Sequence, residues 1–339
     1  AAIDLPRQPS ALWVAAVLGT TAVTLRPGAA VRRWALLVAW GVCLAWLLVA
    51  MQPPGRWAQL VGRQVPLRVN MYAVGDGSCY LLRIGGAEGR PGHVMMVDCG
   101  SQAYFDLALR SINPALRYQG VSRIDTLIIT HADIDHFNGV LDVVDAVEVG
   151  RVLAPPQLLA KARQEPWSVV GRLVDGLAER GLVITPITRG WREQLGAATV
   201  EALWPQQDVP IEPSNDTSIV LSVRVAGRRL LLTGDIHQGA IGALLEIGDD
   251  VRADITDLPH HGSFVDELSP RWLDAVAPTV VLQSSGPVRL YRDKWQPWSA
   301  SQRMTRLITD LHSMAEVRVD NGGHIAWRTM HQPASSLNN

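Results

Sequence analysis

Thr130-His131-Ala132-Asp133-Ile134-Asp135-His136-Phe137-Asn138-Gly139 is the stretch that decides how this chain reads. It sets two imidazoles and two carboxylates within six residues, directly after the apolar run Ile124-Asp125-Thr126-Leu127-Ile128-Ile129. The β-branched residues of that run predict a buried strand, so His131, Asp133, Asp135 and His136 fall in the loop at its C-terminal end, where ligands gather. Asp133 and Asp135, two positions apart, repel each other unless something compensates them. A divalent cation turns that repulsion into binding energy. The bland alternative is a solvated polar loop with chance histidines, and the crowding argues for a metal.

Working outward, ligand-type side chains recur at the ends of other apolar strands. Asp98 follows Met95-Met96-Val97, Asp235 follows Leu230-Leu231-Leu232-Thr233-Gly234, and His260-His261-Gly262-Ser263 follows Ile255-Thr256-Asp257-Leu258-Pro259. A Gly-Asp pair after one strand is by itself an ordinary turn. Four such strand ends, in this order, make a strong signal.

The apolar patterning between these points predicts strands over 67–73, 79–84, 93–97 and 124–130, then 199–204, 218–225, 228–233, 255–258 and 279–282. Helices are expected over 139–147, 167–180, 238–246, 270–276 and 299–311. Strands in two series, each accompanied by helices, place the chain in the α/β (α+β) class as two sheets stacked face to face with helices outside. No solenoid period is visible. One domain is assigned to 66–339, with the Pro-rich step at 52–54 as its boundary.

Residues 1–54 differ in character. Residues 10–25 carry no charge, Arg26, Arg32 and Arg33 interrupt, and 34–51 gives eighteen further uncharged residues. Two transmembrane helices joined by a tight turn fit this, each slightly below the ~20 residues that span a bilayer. The arginines in the turn favour a cytoplasmic turn, which places the domain on the outer face of the cytoplasmic membrane; Arg56, Arg63 and Arg68 pull the other way. The opening Ala1-Ala2-Ile3-Asp4, without Met, predicts a fragment or the processed tail of a longer chain. With 31 Lys and Arg against 32 Asp and Glu, no global basic field announces a polyanionic partner. Cys43, Cys79 and Cys99 show no metal-ligand spacing and are too few for a disulfide framework; buried thiols filling the core are expected.

At this point the sequence resembles the metallo-β-lactamase superfamily, whose motif is His-x-His-x-Asp-His. Asp133 here takes the second histidine's place. The resemblance is strongest to the metallo-hydrolase domain at the carboxyl end of ComEC-type DNA-internalization competence proteins. It is carried by Val74-Gly75-Asp76-Gly77, Val97-Asp98, the 130–139 motif, Asn215-Asp216-Thr217-Ser218, Leu232-Thr233-Gly234-Asp235-Ile236 and Leu258-Pro259-His260-His261-Gly262-Ser263. It implies an αββα sandwich with one or two metal ions between the sheet edges, a preceding membrane channel segment, and single-stranded or duplex DNA as the partner.

Carried over residue by residue, the resemblance implies one metal site from Asp135, His136 and either His260 or His261, with His261 favoured because Gly262 follows it. The other site keeps His131 as its only imidazole, joined by Asp133 and by Asn215 or Asp216. Asp235 bridges, and Asp98 supports a loop or ring from behind. Oxygen-rich ligation shifts preference from zinc towards manganese or magnesium. A metal-activated water would then attack a phosphodiester, with Asp135 orienting it and accepting its proton.

Near the end the chain departs from the family's Gly-x-x-Asn-x-Tyr-x-His-Pro segment. It keeps Gly286 and Tyr291 but sets Arg289 for the Asn and Asp293-Lys294 for the His-Pro. Arg289, Arg292, Lys294 and Trp295, with Trp298, suit a single strand gripped through phosphates and stacked bases. The ordinary alternative, tryptophans wedged against the sandwich under snorkelling cations, is preferred. Three functions are therefore carried forward: a membrane-tethered metal-dependent nuclease of DNA uptake, a hydrolase of a small phosphodiester or ester, and a non-catalytic module of a DNA channel.

Overall fold

The computed structural model describes residues 65–331, apart from 88, 249, 292, 302 and 303, together with Trp34, Leu37, Trp40, Gly41 and Leu44. Two compact units are separated by their contacts: residues 1–63 with 114–122, and residues 64–113 with 123–339. In the first unit, Trp34, Leu37, Trp40, Gly41 and Leu44 are helical and exposed. The two transmembrane helices expected over 10–25 and 34–51 fall almost wholly outside the described residues. Among the described residues no helix is long and apolar enough to cross a membrane.

The second unit is built on two large sheets. The strands in chain order are β1 (Leu67–Met71), β2 (Tyr80–Ile84), β3 (His93–Val97), β4 (Arg123–Ile124), β5 (Thr126–Ile128), β6 (Glu148–Val149), β7 (Val152–Ala154), β8 (Ile184–Pro186) and β9 (Arg192–Leu195). They continue as β10 (Ala198–Trp204), β11 (Val220–Val225), β12 (Arg228–Leu232), β13 (Ile255–Asp257), β14 (Val280–Gln283), β15 (Thr305–Ile308), β16 (Ala315–Val319) and β17 (Ile325–Thr329). The first large sheet runs β17-β16-β1-β2-β3-β5-β7-β8 and the second β15-β14-β13-β12-β11-β10-β9. Each is half antiparallel and half parallel: β3, β5, β7 and β8 pair in parallel in the first, β12 to β15 in the second.

Alternation along the strands explains the stacking. Leu67, Val69 and Met71 of β1, Leu82 and Ile84 of β2, and Met95 and Val97 of β3 join Val200, Leu221, Val223, Leu230, Leu232, Ile255 and Leu282 in one buried cluster. Positions two apart share a sheet face, so these rows are the facing surfaces of the sandwich. The opposite face of the second sheet, Val220, Leu231 and Val281, is covered by helices over Gln238–Ile247 and Leu268–Val276 through Ile241, Leu244, Trp272, Leu273 and Val276. Trp272 is fully buried there.

The structure departs from the sequence reading at the carboxyl end. A single helix over 299–311 is replaced by a helix Trp295–Ser301, strand β15 and a turn of helix Thr309–His312. Thr305 to Ile308 pairs in parallel with β14, which meets the backbone hydrogen bonds that a helix would otherwise have had to supply. Strands β16 and β17 then return to the first sheet, with Val317 opposite Val69.

Candidate metal centre

Parallel strands all end on one side of their sheet, and the ligand-type residues stand there. Thr130 and His131 follow β5, Asp98 follows β3, Asp235 follows β12 and His261 follows β13. Asp98 has φ of 58°, and His260, His261 and Gly262 have φ of 50°, 56° and 83°. Three left-handed residues in a row, two of them histidines, are conformationally costly and aim the His261 ring back over the strand end.

Asp135, His136, Asp235 and His261 are buried, and one ligand atom from each lies within 4.8 Å of all the others. His136 Nε2 is 3.1 Å from Asp235 Oδ1, and His261 Nε2 is 3.2 Å from Asp235 Oδ2 and 3.3 Å from Asp135 Oδ2. Yet Nε2 of His136 and of His261 have no hydrogen-bond partner, although both are buried. The nitrogens and oxygens converge on one another without the alignment of donor to acceptor, which is the arrangement of a ligand set around a cation. Two imidazoles and two carboxylates suit a divalent first-row metal.

Support comes from behind. Asp98 Oδ2 lies 2.7 Å from His136 Nδ1, while its two oxygens accept the N–H and the hydroxyl of Thr130, each at 2.8 Å. This fixes the ring so that Nε2 is the nitrogen offered to a metal. Gln102 Nε2 donates to Asp135 Oδ2 at 3.2 Å, and the Asp235 N–H donates to Ser218 Oγ at 3.0 Å. Burial works against charge on His136 and His261, but facing carboxylates outweigh it. Asp235 and Asp98 raise the pKa of His136, and Asp235 and Asp135 raise that of His261 to about 9. Burial likewise opposes charge on Asp235, and the His136 and His261 cations overcome it, holding the carboxyl well below its usual range.

Beside this set stand His131 and Asp133, with His131 Nε2 buried, unbonded and 3.5 Å from Asp133 Oδ2. The Ser214 hydroxyl donates to Asp133 Oδ1 at 2.7 Å. Burial would raise the Asp133 pKa, yet His131 and Ser214 bring it down to about 2. Asp216 is committed elsewhere. Its carboxylate accepts the N–H groups of His237, Gly239 and Ala240 at 2.8, 3.1 and 3.0 Å, capping the helix Gln238–Ile247. Asn215 is half-buried in the same turn, its carbonyl accepting from Ser218. His260 lies 3.8 Å from Asp235 Oδ2 through Nε2, and its Nδ1 is buried without a hydrogen bond.

The late-histidine loop has a brace of its own. Arg306 of β15 donates to both oxygens of Asp293 at 2.7 and 2.9 Å and to Gln283 Oε1 through Nε at 2.9 Å. Gln283 Nε2 in turn reaches the His261 carbonyl at 3.3 Å, and the Trp295 indole N–H donates to the Gly262 carbonyl at 2.8 Å. Trp295 is buried, with its ring edge-on to Phe264. Its faces are therefore not available to a base, which corrects the stacking role raised for it from sequence. Lys294 pairs with Asp266 at 3.4 Å, Arg289 lines a cleft beside His261, and Arg292 lies outside the described residues. Gln102, Ser214, Gln283 and Arg306 were missed from sequence, because each arrives from a distant segment with no local motif.

A family model described as Metallo-beta-lactamase superfamily matches residues 72–271. The chain is 24% identical over 271 residues to ComE operon protein 3 of Bacillus subtilis (strain 168), covering 77% of this chain and 33% of that protein. It is 27% identical over 330 residues to Competence protein ComA of Neisseria gonorrhoeae, covering 94% of this chain and 40% of that protein. The chain thus spans between a third and two fifths of these relatives' length. Among solved structures, the metallo-beta-lactamase fold protein YhfI from Bacillus subtilis is 12% identical with a TM-score of 0.45, covering 77% of this chain and 99% of that one.

Proposed function

The chain belongs to the metallo-beta-lactamase superfamily, and from that premise we propose that it is a metal-dependent hydrolase that cleaves DNA phosphodiester bonds during DNA uptake. The observation that carries the reading is the convergence of Asp135, His136, Asp235 and His261 in a chain similar to two competence proteins. A divalent ion held there (manganese, zinc or magnesium) would polarise the phosphoryl oxygen and acidify the attacking water.

The chain's own residues do the positioning and the proton handling. Burial pushes the Asp135 pKa up, but His261 and His136 outweigh it and lower the pKa, so the carboxylate is ionised. With Gln102 and His261 both at Oδ2, its orientation is fixed and it can take a proton from the attacking water. His260 is kept neutral mainly by burial, which lowers its pKa, and a neutral imidazole at this edge can donate to a substrate oxygen. Asp133, tied by Ser214, and His131 offer one oxygen and one nitrogen for a second ion, with Asp235 between the two positions.

In this proposal residues 1–54 are a two-helix membrane anchor, and 66–339 is the hydrolase domain on the outer face, following a channel segment of a longer chain. Trp34, Leu37, Trp40 and Leu44 support the anchor, being apolar, helical and exposed where a bilayer would cover them. A second reading, hydrolysis of a small phosphodiester or ester, is favoured by the modest cleft of about 430 Å³ beside His261.

The test is cleavage of single-stranded and duplex DNA by the purified chain with manganese or zinc, against Asp135→Ala. Metal-dependent cleavage lost in the variant supports the nuclease. Turnover of bis(p-nitrophenyl) phosphate alone, with DNA untouched, moves the assignment to a small phosphodiester. Failure to retain any metal leaves a non-catalytic module.

A further inference from the structure

The cleft beside the metal centre is lined by His261 and Gln102, which both touch Asp135, and by Asp76, Val288 and Arg289. The loops that carry these residues hold aromatic rings out in water. Tyr104 and Phe105, two and three residues after Gln102, are 53% and 77% exposed; Tyr291, two residues after Arg289, is 86% exposed. Neither loop hangs free. Ser101 Oγ donates to the Val74 carbonyl and accepts the N–H groups of Ala103 and Tyr104 at 3.1 Å, and the Gly286 N–H donates to Asp76 Oδ1 at 3.1 Å. Exposed rings on pinned backbone forfeit apolar burial that a ligand can restore.

Charge at the cleft points the same way. Lys294 faces Asp266, and Asp293 is neutralised by Arg306, whereas Arg289 has no ion-pair partner among the described residues. Asp76 is the remaining anion of the lining, and its carboxylate is partly satisfied by the Gly286 N–H. An unpaired guanidinium lining a cleft whose flanking loops carry exposed rings is a combination that can hold a nucleic-acid backbone while bases stack.

We propose that Tyr104, Phe105, Tyr291 and Arg289 form a platform for single-stranded polynucleotide, the rings stacking unpaired bases and Arg289 holding a phosphate, so that one strand is led to the metal centre. This rests on the DNA reading above and adds a strand preference to it. Every base offers a π-face to such rings when unpaired, whereas a duplex hides those faces inside its own stack.

The test is equilibrium binding of the full chain, with EDTA present, to a fluorescein-labelled single-stranded oligonucleotide and to the same sequence as a duplex, by anisotropy over a range of salt. The single strand is expected to bind at least about tenfold tighter, and Phe105→Ala or Tyr291→Ala to weaken it by about five- to a hundredfold. Tyr291→Phe keeps the ring and should keep the affinity. Arg289→Ala should lower the salt slope by about 0.7. Equal affinity for duplex, or unchanged single-strand binding in Phe105→Ala and Tyr291→Ala, overturns the platform. Single-strand binding without metal-dependent cleavage overturns the nuclease reading alone, and cleavage with ring variants that bind as the parent does overturns the platform alone.

Discussion

Asp257 accepts both the N–H and the hydroxyl of Thr233 on one oxygen, each at 2.7 Å, in the second half of the sandwich. Asp98 accepts the same two groups of Thr130 in the first half, with one carboxylate oxygen for each. In each half the carboxylate closes one parallel strand and the threonine closes its neighbour, one residue before His131 in the first half and two before Asp235 in the second. The motif is thus duplicated across the sandwich, with one copy touching a histidine.

Full burial raises the Asp257 pKa to about 7, against the help it receives from Thr233. The folded value exceeds the unfolded one, so the folded state keeps a proton that the unfolded chain has lost between about pH 4 and pH 7. In metal-free protein this contribution to stability is full at low pH and is lost as pH rises through about 7, by up to about 4 kcal/mol. Asp257→Asn, which retains the acceptor, should remove that slope in denaturant titrations from pH 4 to 8. An unchanged slope would assign it to other groups.

Asp98→Ala should leave the His136 ring without its anchor and weaken metal binding by about ten- to a hundredfold. Competition against a chromophoric chelator measures this directly. Wild-type affinity in the variant would show that the Thr130 hydroxyl, 3.2 Å from His136 Nδ1, suffices to hold the ring.

Metal uptake should expel protons. In metal-free protein His261 titrates at about 9 and His136 is also raised, so both are charged at neutral pH and must lose a proton to ligate. Both contribute stability that is full below their unfolded pKa near 6.5; the His261 share is lost as pH rises through about 9. Calorimetry in buffers of differing ionisation enthalpy should return release of about two protons per ion at pH 7, with affinity tightening as pH rises. Binding without proton release would place the metal on other ligands.

Arg306→Ala should destabilise the fold by about 3 kcal/mol, since it strands Asp293 in a largely buried position. It should also loosen the His261 loop, seen as weaker metal binding beyond what the stability loss explains. Added guanidinium ion restoring that affinity would mark the brace as acting through geometry. A stability loss with unaltered metal affinity would confine Arg306 to the scaffold.

The strands of both sandwich faces were legible where alternation was strong, as in Leu67, Val69 and Met71, because a half-buried strand writes its period into the sequence. The return of Ala315–Val319 to pair with β1 was not, since nothing local announces a partner some 250 positions away. The site divided in the same way. Asp98, Asp135, His136, Asp235 and His261 stood out as acids and imidazoles just beyond apolar runs. Asp216 carried the same chemical signature yet serves a helix that begins at Gln238, a use visible only in three dimensions. Trp295 shows the same divide: its neighbours in sequence are basic, but its neighbours in space are Phe264 and the Gly262 carbonyl, which is the wedged position preferred from sequence.

Asp135 and His136 come from one half of the chain, and Asp235 and His261 from the other. A ribosome that has finished the first pair still has over a hundred residues to make before the last donor exists, and β16, the neighbour of β1, comes later still. At about 5–20 residues per second, that interval is on the order of ten seconds. A nascent or prematurely terminated chain that stops short of Asp235 and His261 therefore lacks half of the donor set and cannot assemble the site.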